Sequence, residues 1–145
     1  ITLTGGDTMG LNDEINNVVK WDVPSVSSDD SLRTVIQKMV DNKVTAVLIK
    51  SGDDVLGVAT DMDILNSIDN AADLDETKSA QMMTACEMIT NEEVQSPCVQ
   101  LDPTISVEMA LGVMARAGVH HLMVSGDGKS VGMVSIQDLL SLVVS

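Results

Sequence analysis

Two strings in the chain place a carboxylate three residues after a hydroxyl, each time behind a glycine. They are Gly57-Val58-Ala59-Thr60-Asp61-Met62-Asp63 and Gly132-Met133-Val134-Ser135-Ile136-Gln137-Asp138. Both read glycine, two apolar residues, Thr or Ser, two variable residues, Asp, the pattern of a strand that runs into a helix at the hydroxyl. The first turn of such a helix exposes unpaired N–H groups and partial positive charge, which suit an anion or a sugar oxygen. An Asp in that turn can accept hydrogen bonds from two vicinal hydroxyls, such as ribose carries. The strand glycine would let a flat ring come close to the backbone. The same spacing also fits a capping box, which stabilises any helix start without a ligand. Recurrence of the string at the same place in two copies of one unit favours the ligand reading over the cap.

Other reactive side chains are few. His120 and His121 are adjacent, and neighbours along a strand point to opposite faces, so they do not make a metal site. They read either as ordinary strand residues, one packed and one exposed, or as groups that answer a phosphate, although an imidazole is mostly neutral at pH 7. Cys86 and Cys98 are twelve residues apart with no CxxC spacing, which points to reduced thiols rather than to a disulfide or a zinc site. His120, His121, Asp63 and Asp138 offer acid–base groups, but no nucleophile, base and orienting group form a set. No catalytic and no metal-ligating residue is assigned.

The elements that position the two strings repeat. Sliding the chain on itself by 75 residues aligns 24–70 with 99–145 without a gap, pairing Ser31 with Ser106, Met39 with Met114, Val44 with Val119, Gly57 with Gly132, Asp63 with Asp138 and Leu65 with Leu140. Each copy opens with a short strand-like piece, then a serine suited to cap a helix, Ser31 or Ser106. Apolar residues at helical spacing follow: Leu32, Val35, Ile36, Met39 and Val40 in the first copy, Val107, Ala110, Leu111, Met114 and Ala115 in the second. Each set makes a one-faced amphipathic helix, and Gly118 is placed to stop the second. Strands are predicted over 45–50, 56–60, 120–125 and 131–135, with turns at 51–54 and 126–129. Second helices start at about Asp61 and Ile136, which completes a strand–helix–strand–strand–helix unit.

Outside the copies, 1–10 reads as disordered and 11–20 as a short helix with Leu11, Ile15, Val18 and Val19 facing inward. Residues 71–93 read as an acidic helical connector on which Met82, Met83, Cys86 and Ile89 form one face. The division is then an N-terminal tail and short helix over 1–20, a first repeat over 21–70, the connector over 71–93 and a second repeat over 94–145.

At 145 residues the chain makes one domain or two small halves sharing a core. With 44% hydrophobic residues but no Phe, no Tyr, one Trp (Trp21) and ten Met, that core is aliphatic, and Met adapts to irregular gaps. The net charge of −14, from 22 acidic and 8 basic residues, repels phosphate backbones and anionic lipid heads. No aromatic platform is present for stacking bases, so nucleic-acid and membrane-surface roles are disfavoured. No apolar run approaches the ~18 residues a membrane span needs. The first residue is Ile1, so the start is processed or the chain is a piece of a longer one; it carries no visible secretion signal, and a cytoplasmic location is expected.

The duplicated strand–helix–strand–strand–helix unit, closed in each copy by glycine, two apolar residues, Thr or Ser, and then Asp, resembles a tandem pair of cystathionine-β-synthase (CBS) domains, or Bateman module, over roughly 22–68 and 97–143. The resemblance implies an α/β fold of two pseudo-symmetric β-α-β-β-α repeats packed through their sheets. It implies two clefts that hold an adenosine-type ligand, assembly into a homodimer, and a regulatory rather than an enzymatic role. Carried over by position, the ribose-binding aspartates are Asp63 and Asp138, and the hydroxyl residues Thr60 and Ser135. One cleft would join Val58, Thr60 and Asp63 with Cys98, Val99, His120, His121 and Gln137, and it is expected to be the tighter. The other would join Met133, Ser135 and Asp138 with Val23, Pro24, Thr45, Ala46 and Met62.

The chain departs from the family pattern at Leu48 and Met123, where a proline is frequent, and at Met62 and Gln137, where many nucleotide-binding members carry a basic residue; Asp61 adds a negative charge. AMP or S-adenosylmethionine is therefore favoured over ATP, with ADP in the same set, as a regulatory ligand; no cofactor is required. Two alternatives stand beside this reading: an interaction module that dimerises with empty clefts, and a Mg²⁺-sensing cytosolic domain of a transporter, since carboxylates suit that hard cation.

Overall fold

The structure is a computed structural model, and it describes residues 10–88, 98–125 and 131–144. The expectation for 1–10 falls almost wholly outside the described residues, and the turn at 126–129 wholly so. The chain divides into two compact units, one from Val23–Cys86 and the other from Ile1–Asp22 with Glu87–Ser145.

The first unit is built from β1 (Ser25–Ser27), α1 (Leu32–Asn42), β2 (Ala46–Ser51), β3 (Asp54–Thr60), α2 (Asp61–Asp69), the single turn α3 (Ser79–Met82) and β4 (Thr84–Met88). Ser31 caps α1, its hydroxyl accepting from the Thr34 N–H at 3.2 Å. The helix ends at Lys43, whose φ of 54° is left-handed, a conformation that glycine adopts with less strain. β1 runs parallel to β2 with Ser25 opposite Leu48, β2 antiparallel to β3 with Ala46 opposite Thr60, and β3 antiparallel to β4 with Val58 opposite Thr84. Val35 and Met39 of α1 pack with Val26, Val47, Ile49 and Ala59 into one core.

The second unit repeats the plan with β5 (Cys98–Leu101), α4 (Val107–Ala117), β6 (His121–Ser125), β7 (Val131–Ser135) and α5 (Ile136–Val143). Ser106 caps α4, and Gly118 ends it at φ 69°, the position matching Lys43. β5 is parallel to β6 and β6 antiparallel to β7, with His121 opposite Ser135. Its own core gathers Ile15, Leu101, Val107, Ala110, Val113, Met114, Leu122, Val124, Val134 and Leu139. Two separate aliphatic cores thus replace the aromatic anchors the composition lacks.

Two expectations are corrected. Residues 71–93 do not form one helix: α3 is a single turn, and 84–88 is a strand, so Cys86 sits in a strand rather than on a helical face, while Ile89 lies outside the described residues. Met82 and Met83 do pack against the first core. Residues 11–20 are not one helix: 10–12 carry helical backbone and a 3-10 turn, Ile15–Val18, follows after a break, although Leu11, Ile15, Val18 and Val19 do face the second core. In both segments the apolar spacing allows a helix, but part of the backbone pairs with a sheet edge or a helix start instead of with itself.

The two segments play matching parts at an offset of 64 residues, Asp13 to Thr77 and Lys20 to Thr84. The Thr77 carbonyl accepts the Leu32 N–H at 2.8 Å, and the Asp13 carbonyl accepts the Val107 N–H at 2.8 Å. Lys78 bridges Ser31 and Glu14 bridges Ser106; Ser79 and Ile15 are both fully buried. Thr84 pairs with Val58, and Lys20 with Met133. Segment 13–20, which precedes the first repeat, therefore belongs to the second unit, and segment 77–84, which precedes the second repeat, belongs to the first. The Arg33 guanidinium clamps both oxygens of Asp75, at 2.7 and 3.3 Å, beside the start of α1. That hydrogen-bonded pairing holds the Asp75 carboxyl below the usual carboxylate range and raises Arg33.

Both lead-in segments cross a strand glycine. A Cβ on Gly132 would sit 2.6 Å from Val19 Cγ1 and 2.7 Å from Trp21 Cε3; one on Gly57 would meet the Thr84 carbonyl oxygen and lie 3.0 Å from Met83 Sδ. Gly57→Ala and Gly132→Ala should each lower stability by about 1–3 kcal/mol through overpacking. Gly112→Ala, inside α4, where the nearest atom would be the mobile Arg116 Nη1 at 3.2 Å, should raise it by about 0.5–1 kcal/mol. Urea midpoints report all three, and an unchanged Gly132→Ala midpoint would contradict the tight crossing.

Candidate functional site

In the first unit the strand-to-helix junction is closed by its own hydrogen bonds. Asp63 Oδ2 accepts from the Thr60 N–H at 2.9 Å and from the Thr60 hydroxyl at 3.2 Å, and the Asp63 N–H donates to Thr60 Oγ1 at 3.4 Å. The Asp61 N–H donates to the Thr45 carbonyl at 3.0 Å, and the Met62 N–H to Asp61 Oδ1 at 2.9 Å. Every N–H from Thr60 to Asp63 therefore has a partner. Asp63 Oδ1 is engaged as well, by the Thr84 hydroxyl at 3.1 Å. Around this junction Thr45 and Met62 are exposed, Ala46 and Val58 are buried, and Val23 and Pro24 are half-buried. The Pro24 carbonyl accepts the Leu48 N–H at 2.9 Å, which ties the entry to β1 to the middle of β2.

The second unit repeats the junction with fewer closures. Asp138 Oδ2 accepts from the Ser135 N–H at 3.2 Å, the Asp138 N–H donates to Ser135 Oγ at 3.2 Å, and the Ile136 N–H donates to the His120 carbonyl at 2.8 Å. The Gln137 N–H has no partner among the described residues, because Ile136 stands where Asp61 stands in the first unit. Among the described residues Asp138 Oδ1 meets only the Lys20 ammonium, at 3.8 Å, and the Lys20 side chain is 66% exposed. An ion pair that long and that exposed adds little to stability, which leaves both groups available to a ligand. His120 is exposed, His121 half-buried and Met133 buried, so the two histidines divide into one outward and one inward residue. Cys98 and Val99 enter as backbone of β5.

Both hydroxyl–Asp strings are thus capping boxes. The ring-approach role expected for the glycines is overturned. The face beside Gly57 is filled by Met83 and Thr84, and that beside Gly132 by Val19, Lys20 and Trp21. Two further junction residues, Lys20 and Thr84, escaped the sequence reading. They occupy matching places and reach the motif carboxylates from the lead-in segments, and the 64-residue offset was the signal that could have found them. Lys20 supplies the cation that Met62 and Gln137 do not. The first junction carries Asp61 and Asp63 with its N–H groups spent; the second pairs one Asp with a Lys and a free N–H, and is the better anion receptor. Among the described residues no three His, Cys, Asp or Glu groups gather to hold a metal ion, and no helix is long and apolar enough to cross a membrane.

Comparison with known proteins follows the same division. The CBS domain family model matches residues 15–70 and 92–145. A protein with CBS domains from Burkholderia ambifaria superposes with a TM-score of 0.72 at 25% identity, covering 86% of this chain and 84% of its own. A CBS domain protein from Pyrobaculum aerophilum, complexed with AMP, gives 0.71 at 20% identity over 91% of this chain and 99% of its own. Uncharacterised proteins of Thermofilum pendens and Methanopyrus kandleri are 26% and 22% identical over 88% of this chain. The chain spans only 43% and 61% of the lengths of those two relatives. With each copy of the unit matched by the family model and the same fold in both solved structures, the chain belongs to the CBS domain family as a tandem pair.

Proposed function

We propose that this CBS pair, a regulatory module by family, acts by binding an adenosine-type ligand at its strand-to-helix junctions and passing the bound state to a partner. The observation that carries the reading is the open part of the second junction: the free Gln137 N–H, the free side of Asp138 Oδ1 and the nearby Lys20 ammonium. A carboxylate that can accept from vicinal hydroxyls, beside one N–H and one cation, suits a ribose bearing a single phosphate or a sulfonium-linked chain. AMP and S-adenosylmethionine therefore rank above ADP and ATP, because nothing on either junction neutralises a triphosphate. The AMP bound by the Pyrobaculum aerophilum protein supports the same ligand class. Val58, Thr60, Asp63, Val99, His120, His121, Gln137, Met133, Ser135, Asp138, Pro24, Thr45 and Ala46 are the residues proposed to line the ligand positions, now with Lys20 and Thr84. The role is regulatory and not enzymatic, needs no cofactor for chemistry, and belongs in the cytoplasm.

The hydrogen bonds argue against the order expected from the sequence, in which the Asp63 position was the tighter. Asp63 has both oxygens engaged inside its own unit, whereas Asp138 keeps one free of any bond shorter than 3.8 Å among the described residues. A second copy of the chain is also part of the proposal. Met62, Leu65 and Ile68 form an exposed stripe on α2, at 53%, 59% and 54%, and Leu140, the match of Leu65, is 43% exposed on α5.

Three measurements test these points. In a thermal-shift panel of AMP, ADP, ATP and S-adenosylmethionine, a native-state ligand at a hundredfold excess over Kd should stabilise by about 2.7 kcal/mol; a flat response to all four removes the adenosine reading. By titration calorimetry Asp138→Ala should lose about 1.5–3 kcal/mol of binding, the value of a hydrogen bond to a charged group, and Asp63→Ala less. The opposite order would restore the expectation from the sequence. Light scattering should show a dimer that Leu65→Glu dissociates, and a monomer at high concentration would dismiss the second copy.

A further inference from the structure

A cavity of about 290 Å³ opens in the first unit, away from the Thr60 junction, lined by Ser25, Ser27, Thr34, Lys38, Lys50 and Gly52, with Val26 and Asp30 on its wall. It sits where β1 lies against the end of β2, since Ser25–Ser27 pairs with Leu48–Lys50. The Thr60 junction is opposite Ala46 at the other end of β2, four strand residues or about 13 Å away.

The charge in this cavity runs against the rest of the molecule. The chain has 8 basic residues against 22 acidic ones, so a lysine has carboxylates in excess to choose from. Yet Lys38 and Lys50 make no ion pair or side-chain hydrogen bond among the described residues, although both are half-buried. The one carboxylate on the wall, Asp30, is committed through Oδ2 to the Ser27 N–H at 2.8 Å. Hydroxyl donors line the same cavity: the Ser25 side chain has no hydrogen-bond partner among the described residues, and Ser27 Oγ accepts from the Asp29 N–H at 3.3 Å, which leaves its proton to give.

We propose that this cavity is a second ligand site, selective for a phosphate dianion or a small phosphomonoester. Two ammonium groups balance the two charges of the dianion, and the serine hydroxyls donate to its remaining oxygens. The single carboxylate, held by the β1 loop, disfavours a larger polyanion. The volume exceeds that of phosphate alone and leaves room for a short organic group on the ester. This site is independent of the adenosine reading.

The test is amide NMR of the whole chain during titration with inorganic phosphate, with sodium chloride at matched ionic strength as control. Saturable shifts at residues 25–27 and 50–52 are expected at roughly millimolar phosphate, absent with chloride. Lys38→Met and Lys50→Met keep the aliphatic stem and should each weaken binding about tenfold or more, while Lys50→Arg should retain it. Asp138→Ala should leave these shifts unchanged, which separates the site from the junctions. Shifts that chloride reproduces, that do not saturate, or that survive both methionine substitutions would overturn the proposal.

Discussion

Lys20 and Met133 exchange two backbone hydrogen bonds of 2.9 Å, and the exchange exists because residue 132 has no side chain to hold the strands apart. The same contact recurs where Thr84 crosses β3 beside Gly57. Much else hangs on this pair of crossings. They cover a strand edge that would otherwise expose unpaired N–H and C=O groups. They bring buried Ile15 and Ser79 against their units. They also carry a lysine ammonium and a threonine hydroxyl to the two motif carboxylates, so one backbone constraint sets both the sheet edge and the polarity of the site.

That polarity makes the two junctions chemically different despite their common frame. The helix starts are superficially alike, each with a hydroxyl, an N3 aspartate and an N1 N–H bound to a carbonyl. Exchanging Asp61 for Ile136 frees an N–H, and exchanging Thr84 for Lys20 replaces a neutral donor with a charged one. Four of the chain's eight cations have a defined place: Arg33 is spent on Asp75 at a helix start, Lys20 stands near Asp138, and Lys38 and Lys50 line one cavity. In a protein of such acidity the placement of each cation defines where an anion can dwell.

What was legible in the residues was local. Ser31 and Ser106 as caps, Gly118 as a helix stop, and helix starts at Asp61 and Ile136 all stand where short-range chemistry puts them. Lys43 in the left-handed slot of Gly118 was hidden, because tertiary context there overrides the residue's preference. The lead-in segments were misread for a related reason. Met82 and Met83, or Ile15, Val18 and Val19, satisfy helical spacing, and only partners far along the chain show that parts of these backbones pair with a sheet edge or a helix start. The site fared likewise: the hydroxyl–Asp strings were visible, but which oxygens remain open depends on Lys20 and Thr84, whose approach no local pattern records.

The reciprocal lead-ins carry a consequence for how the polypeptide assembles as it is made. Segment 13–20 emerges before the second repeat, yet its partners lie there: residues 103–107 around the start of α4, and then β7. The first repeat, by contrast, gains its edge partner when Thr84 appears, soon after its own last helix. The arm's contacts with its unit are thus long-range ones, the kind that slow folding most. A β7 edge on which its own arm has not yet docked is open to the arm of another chain, a route to strand-exchanged dimers that differs in kind from contact between finished surfaces.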